Sequence, residues 1–140
     1  MTAGILPSSA VLIVEDDCLL RMLTADIVVE AGFEVLNASN ADEALAILSA
    51  RSDIAVLLTG IAMVGRMDGM QLAHVTHERW PLIKIIVASG RAGLSEADLP
   101  FGCRTLRKPY PAESMISTIH SLIDGAAFVP ARAARVYLDV

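Results

Sequence analysis

Cysteine is scarce in this 140-residue chain: only Cys18 and Cys103 occur, far apart and in no metal-ligand spacing. That argues against a disulfide framework or a thiolate metal centre, and it fits a reducing cytoplasm. Basic residues are in the minority. Eleven Lys and Arg against sixteen Asp and Glu leave a net charge of −5, which argues against nucleic acid as the main partner and against adhesion to an anionic membrane. Charged residues are only 19% and hydrophobic residues 54%, so core material is ample and the composition is not that of a disordered chain. Long apolar runs are also missing. Mean hydropathy is +0.56, yet the richest stretch, residues 54–64, is interrupted by Thr59 and Gly60 and falls short of the roughly 20 apolar residues of a spanning helix. Residues 1–10 carry no Lys or Arg and no long apolar segment, so they do not read as a signal peptide. There is no Gly-x-Gly-x-x-Gly and no Walker lysine, hence no warrant for nucleotide binding.

What is present is alternation. Val11-Leu12-Ile13-Val14 is a run of strand formers ending at Glu15-Asp16-Asp17. Leu19, Leu20, Leu23, Ile27 and Val28 then recur at helical spacing up to Gly32, a natural stop. Residues 33–38 read as a second strand, with Asn40 as N-cap of the next helix and Glu43 in capping-box position. Residues 54–59 form a third strand, apolar enough to be covered on both faces. A loop is expected over 60–69, a helix over about 70–79 and a fourth strand over 83–88. The glycine-punctuated stretch 89–102 has room for one short helix near 95–99, before a fifth strand at 104–107 and a last helix over 111–123. Five strand–helix pairs predict an α/β fold, a flavodoxin-like doubly wound (βα)5 with a five-stranded parallel sheet of order 2-1-3-4-5. One domain is expected over residues 10–124, with 125–140 as a C-terminal tail too short to form an output domain.

In such a sheet the ligand site lies at the carboxyl ends of the strands. Three features meet there: Glu15-Asp16-Asp17, Thr59-Gly60-Ile61 and Lys108-Pro109. Two like charges 4 Å apart repel by about 4 kcal/mol at an effective dielectric of 20, so clustered acids need a counter-charge. Alternatively they cap the following helix, whose N-terminus favours negative charge. Taken together with Ile85-Ile86-Val87-Ala88-Ser89-Gly90 and Leu106-Arg107-Lys108-Pro109-Tyr110, these segments make residues 11–123 resemble the receiver domain of bacterial response regulators. The resemblance implies a CheY-like domain of two-component phosphorelay signalling. Such receivers bind Mg²⁺ through two acids after the first strand, an aspartate ending the third and a backbone carbonyl two residues later. That aspartate takes a phosphoryl group from a phosphohistidine, and a hydroxyl ending strand four and a lysine ending strand five hold its oxygens.

Carried over by this resemblance, Glu15 and Asp16 are the acidic metal pair, Ala62 offers the carbonyl, and Lys108 is the phosphoryl-contact lysine, followed by Pro109 as a cis-proline candidate. The departures decide the reading. The phosphoacceptor position is Gly60, which has no side chain and cannot be a nucleophile. The hydroxyl position aligns with Ala88, or with Ser89 after a shift of one. The aromatic switch position is Thr105, and Val64 stands where proline is usual. Loss of one carboxylate leaves Mg²⁺ at most weakly held, and no cofactor is required. Asp68 belongs to the Asp-Gly turn that ordinary receivers also carry.

Among other candidates, His74 and His77 lie three apart on one helix but lack a third ligand, and read as a solvated face. Cys18 reads as a small half-buried filler, His120 as a poor candidate for a kinase-type phosphohistidine and Ser89-Gly90-Arg91 as a plain turn, while Met63, Met67 and Met70 suit either adaptable packing or a soft partner surface. The expected function is therefore a pseudo-receiver, not an enzyme: a cytoplasmic, single-domain signalling protein acting by phosphorylation-independent contact. Expected partners are a sensor kinase, a phosphotransfer protein or another regulator, with no nucleic acid and no membrane. A homodimer is expected through the fourth helix, fifth strand and fifth helix, over Leu94, Leu99, Thr105, Met115 and Ile119. Apolar residues of the tail, among them Phe128, Val129, Val136, Tyr137 and Leu138, are expected to pack on the body or on a second subunit. Two rivals are a phosphotransfer receiver using another acceptor, and a small-ligand or metal-binding flavodoxin-like module.

Overall fold

The first apolar run forms strand β1 (Ala10–Val14), buried at all five positions, as a strand covered on both faces must be. The computed structural model describes residues 10–61, 67–90, 99–100, 102–124 and 137–138. Beyond β1 the elements are α1 (Cys18–Glu30), β2 (Glu34–Ala38), α2 (Ala41–Ala50), β3 (Ile54–Gly60), α3 (Gly69–Arg79), β4 (Lys84–Ser89), β5 (Arg104–Arg107), β6 (Tyr110–Pro111), α4 (Ala112–Asp124) and β7 (Tyr137–Leu138). The first five strands are parallel in the order β2-β1-β3-β4-β5. This is the flavodoxin-like arrangement that the alternation predicts. Residues 91–98 lie outside the described residues, and with them most of the short helix expected near 95–99. Among the described residues no helix is long and apolar enough to cross a membrane.

Period-two alternation along the strands divides the core into two layers. Leu12, Val14, Leu57, Ile85 and Val87 face α2 and α3, meeting Ala44, Leu48, Leu72 and Ala73. Val11, Ile13, Leu58, Ile86 and Ala88 face α1 and α4, meeting Leu20, Val28, Met115 and Ile119. Met115 and Ile119 are therefore fully buried, and Leu99 is 7% exposed. These three, expected on a dimer face, are core residues instead, because the apolar stripe of α4 is needed to cover the sheet. Leu94 lies outside the described residues.

The helix starts follow the capping chemistry, with one displacement. The Asp17 side chain accepts from the Leu20 N–H at 2.9 Å and caps α1. Asn40 caps α2 by accepting from the Glu43 N–H at 2.8 Å. The expected reciprocal bond is shifted by one residue: the Glu43 carboxylate accepts from the Ser39 N–H at 2.7 Å and the Ser39 hydroxyl at 2.8 Å. A complete capping box occurs instead at the start of α3, between Asp68 and Gln71. β3 also runs one residue further than expected and includes Gly60. The antiparallel pairing of β6 with β7 ties Tyr137–Leu138 to the body, in line with the packing expected of these apolar tail residues, although the strand pairing itself has no sequence signal.

Candidate functional site

β1, β3 and β4 end at one edge of the sheet. There Val14 pairs with Thr59 and Gly60 with Ala88. Past β1 the chain turns under tight local bonding: the Glu15 carboxylate accepts from the Asp17 N–H at 3.0 Å, and Arg21 donates to the Glu15 carbonyl at 2.6 Å. Past β5, the Lys108 N–H donates to the Ser89 carbonyl at 2.8 Å, and the Lys108–Pro109 peptide bond is cis. These two turns bring the ammonium of Lys108 to 3.6 Å from Glu15 Oε1, with the two side chains 17% and 13% exposed. Glu15, Thr59, Gly60, Ala88, Lys108 and Tyr110 line one small cleft.

The electrostatics follow from that enclosure. Burial raises the Glu15 carboxyl above its ordinary range; the Asp17 N–H and the Lys108 charge oppose the rise, and neighbouring Asp16 adds to it. The Tyr110 phenol is pushed up to about 12, chiefly by burial and then by the charge of Glu15. Tyr110 is 5% exposed and is a site residue that no chemical motif in the sequence singles out. Its only signal was its place directly after Lys108-Pro109.

Gly60 sits where the chain leaves the sheet. A Cβ built there falls 3.3 Å from Glu15 Oε1, so the void beside the lysine is already partly taken by the Glu15 carboxylate. Gly69 has a different reason to be glycine. Its N–H donates to the Ile61 carbonyl at 2.8 Å, and a Cβ on it would collide with the carbonyl oxygen of Gly60. Asp68, the acid of the turn beyond β3, is exposed and occupied by the cap of α3.

Of the other expected site residues, Asp16 is exposed at the rim and Ala62 lies outside the described residues, as do Met63 and Val64. Ser89 is buried, with its carbonyl engaged by Lys108. It is Ala88 that lines the cleft. Thr105 pairs in register with Val87, not with Ala88, and so lies on the opposite face of the sheet. His74 is exposed and His77 half-buried on α3, while His120 packs its ring 5.0 Å from Phe33. Among the described residues no group of three His, Cys, Asp or Glu side chains could hold a metal ion. The donor set fits Mg²⁺ poorly. One oxygen of Glu15 faces an ammonium, the other accepts an N–H, and Gly60 adds nothing. A larger cavity of about 680 Å³ lies elsewhere, around Arg51, Arg79, Trp80 and Leu82, and none of the site residues lines it.

Residues 11–120 match the family of the response regulator receiver domain. The chain is 29% identical over 119 residues to the response regulator receiver protein CpdR of Brucella abortus, covering 83% of this chain and 98% of that protein. It is 34% identical over 87 residues to an NtrX-like response regulator of Rickettsia bellii, covering 62% of this chain and 18% of that protein. The chain thus spans less than a fifth of the length of such relatives. Its fold is similar to the crystal structure of a response regulator receiver protein from Sinorhizobium medicae, with a TM-score of 0.77 and 26% identity over 84% of this chain and 95% of that one.

Proposed function

The chain belongs to the response regulator receiver family, and on that premise we propose that it signals by protein–protein contact without being phosphorylated at the customary position. Receiver domains are the signalling modules of two-component systems. The observation that carries the finer reading is Gly60 at the end of β3, inside the cleft and opposite Ala88. Capture of a phosphoryl group needs a nucleophilic carboxylate in line with the leaving group. The position offers none, and the lysine that would steady phosphoryl oxygens is paired with Glu15. In this reading Glu15, Asp16, Gly60, Ala88, Lys108 and Pro109 are a receiver pocket turned from chemistry to structure, with Thr105 on the other face of the sheet. Mg²⁺ is at most a weak visitor through Glu15, Asp16 and the Ala62 carbonyl, and no cofactor is required.

The partners are a sensor kinase, a phosphotransfer protein or another regulator, met in the cytoplasm. Residues 10–124 form the signalling body and 125–140 its tail. Self-association through the β5–α4 side would centre on half-buried Thr105, because Met115 and Ile119 are buried. The commitment of Asp68 to a cap counts against a substitute acceptor there.

Intact mass after incubation with Mg²⁺ and acetyl phosphate tests the reading. No gain of a phosphoryl group is expected. A stable gain of one, mapped to a carboxylate, overturns it.

A further inference from the structure

Helix α1 has an apolar side that the sheet does not use. Leu20, Thr24 and Val28 turn inward, while Leu19, Met22, Leu23 and Val29 remain 66%, 58%, 46% and 54% exposed. Exposed Asp26 and Glu30 stand among them. An apolar helical stripe facing water marks a surface meant to be covered.

The chain's own path says what covers it. α4 starts directly after β6 and runs for 13 residues, which carries the chain about 20 Å at 1.5 Å per residue. β7 then pairs back onto β6, Tyr137 opposite Pro111 and Leu138 opposite Tyr110, and lies against α1. α1 and α4 share one layer of the fold. The segment 125–136 therefore leaves from the far end of α4 and must finish beside α1. Extended, it reaches about 40 Å at roughly 3.3 Å per residue, ample for the return. Its composition matches the surface: Phe128, Val129 and Val136 are apolar, Arg132 and Arg135 are basic, and it contains no acid.

We propose that residues 125–136 of this same chain dock on the apolar side of α1, with Arg132 and Arg135 answering Asp26 and Glu30. The β6–β7 pair anchors one end and the end of α4 the other. A partner that uses α1 then competes with the chain's own tail. This rests on the α1 surface and the strand pair, independently of whether the pocket is phosphorylated.

The test uses the full chain. Cys18 is exposed in the first turn of α1 and Cys103 is buried, so a thiol-reactive nitroxide attaches to Cys18. In dilute, isotope-labelled protein the amide signals of 125–136 should lose most of their intensity relative to the reduced label. The double variant Met22→Glu, Leu23→Glu, changed only at exposed positions, should restore at least half of that loss while the signals of β1 to β5 stay in place. Full intensity over 125–136 from the start, or attenuation indifferent to the double variant, overturns the proposal. Attenuation seen only when nitroxide-labelled and isotope-labelled molecules are mixed assigns the contact to a second copy, and overturns it as well.

Discussion

At position 15 a carboxylate is held where burial and a neighbouring ammonium pull in opposite directions. Because burial wins, folding strengthens the grip of Glu15 on its proton. The stability this group contributes is complete below its ordinary value of 4.5 and declines as pH rises through the raised one. Lys108 limits that decline by favouring the charged form. Lys108→Met should therefore move the titration of Glu15 further up and steepen the loss of stability between pH 5 and 7. The pair lies between the exposed and the buried limits, so the cost at pH 7 should be about 1–3 kcal/mol. A carboxyl-carbon NMR titration and urea unfolding at the two pH values check this; an unmoved titration would contradict it. Glu15 and Lys108 were legible in the sequence because both belong to short motifs after strand formers. That they share one edge of the sheet was legible too; the 3.6 Å contact was not, since it depends on how two turns far apart in sequence approach across β3.

At the scale of elements, the start of α3 lies tight against the end of β3. Gly69→Ala would drive a methyl group into the Gly60 carbonyl and the Ile61 backbone, neither of which can swing aside as a side chain would. We expect a loss of about 3 kcal/mol in urea unfolding. Gly90→Ala, with nothing within 4 Å of the added carbon, should fall within about 0.5 kcal/mol of the parent. Equal costs would show that the junction relaxes. The strands and helices were readable because four-to-seven-residue apolar runs and 3.6-residue periodicity are long enough to register. β6 and β7 have two residues each and carry no period. Asp68-Gly69 reads as an ordinary turn, and only the approach of Gly60 shows that the glycine is there for clearance.

For the whole molecule, the question is how far an event in the pocket travels. In Gly60→Asp the new side chain begins 3.3 Å from Glu15 Oε1, so the variant should unfold at a lower temperature than the parent and regain the difference in millimolar Mg²⁺. Transmission should still fail. A ligand shifts a conformational equilibrium only by its differential interaction with the two states. Ala88 brings no hydroxyl to the pocket, and Thr105 lies on the other face of the sheet. With Mg²⁺ and beryllofluoride, NMR shift changes should stay within the turns after β1, β3, β4 and β5. Large changes along β5 and α4 would contradict this and point to Ser89.

Among the described residues the sheet ends at β2 on one side and β5 on the other, each with an outer row of backbone groups that could template another strand. β5 is only four residues long, and its exposed positions are Arg104 and Arg107. Two copies meeting edge to edge at β5 would press arginine against arginine. On β2 the exposed positions are Glu34 and Asn37, with Glu34 bridged to Arg51 at 3.1 Å. In a chain this apolar, resistance to strand-by-strand aggregation thus resides in a few edge charges, and neutralising Arg104 and Arg107 would shorten the life of a concentrated solution well before it weakened the fold.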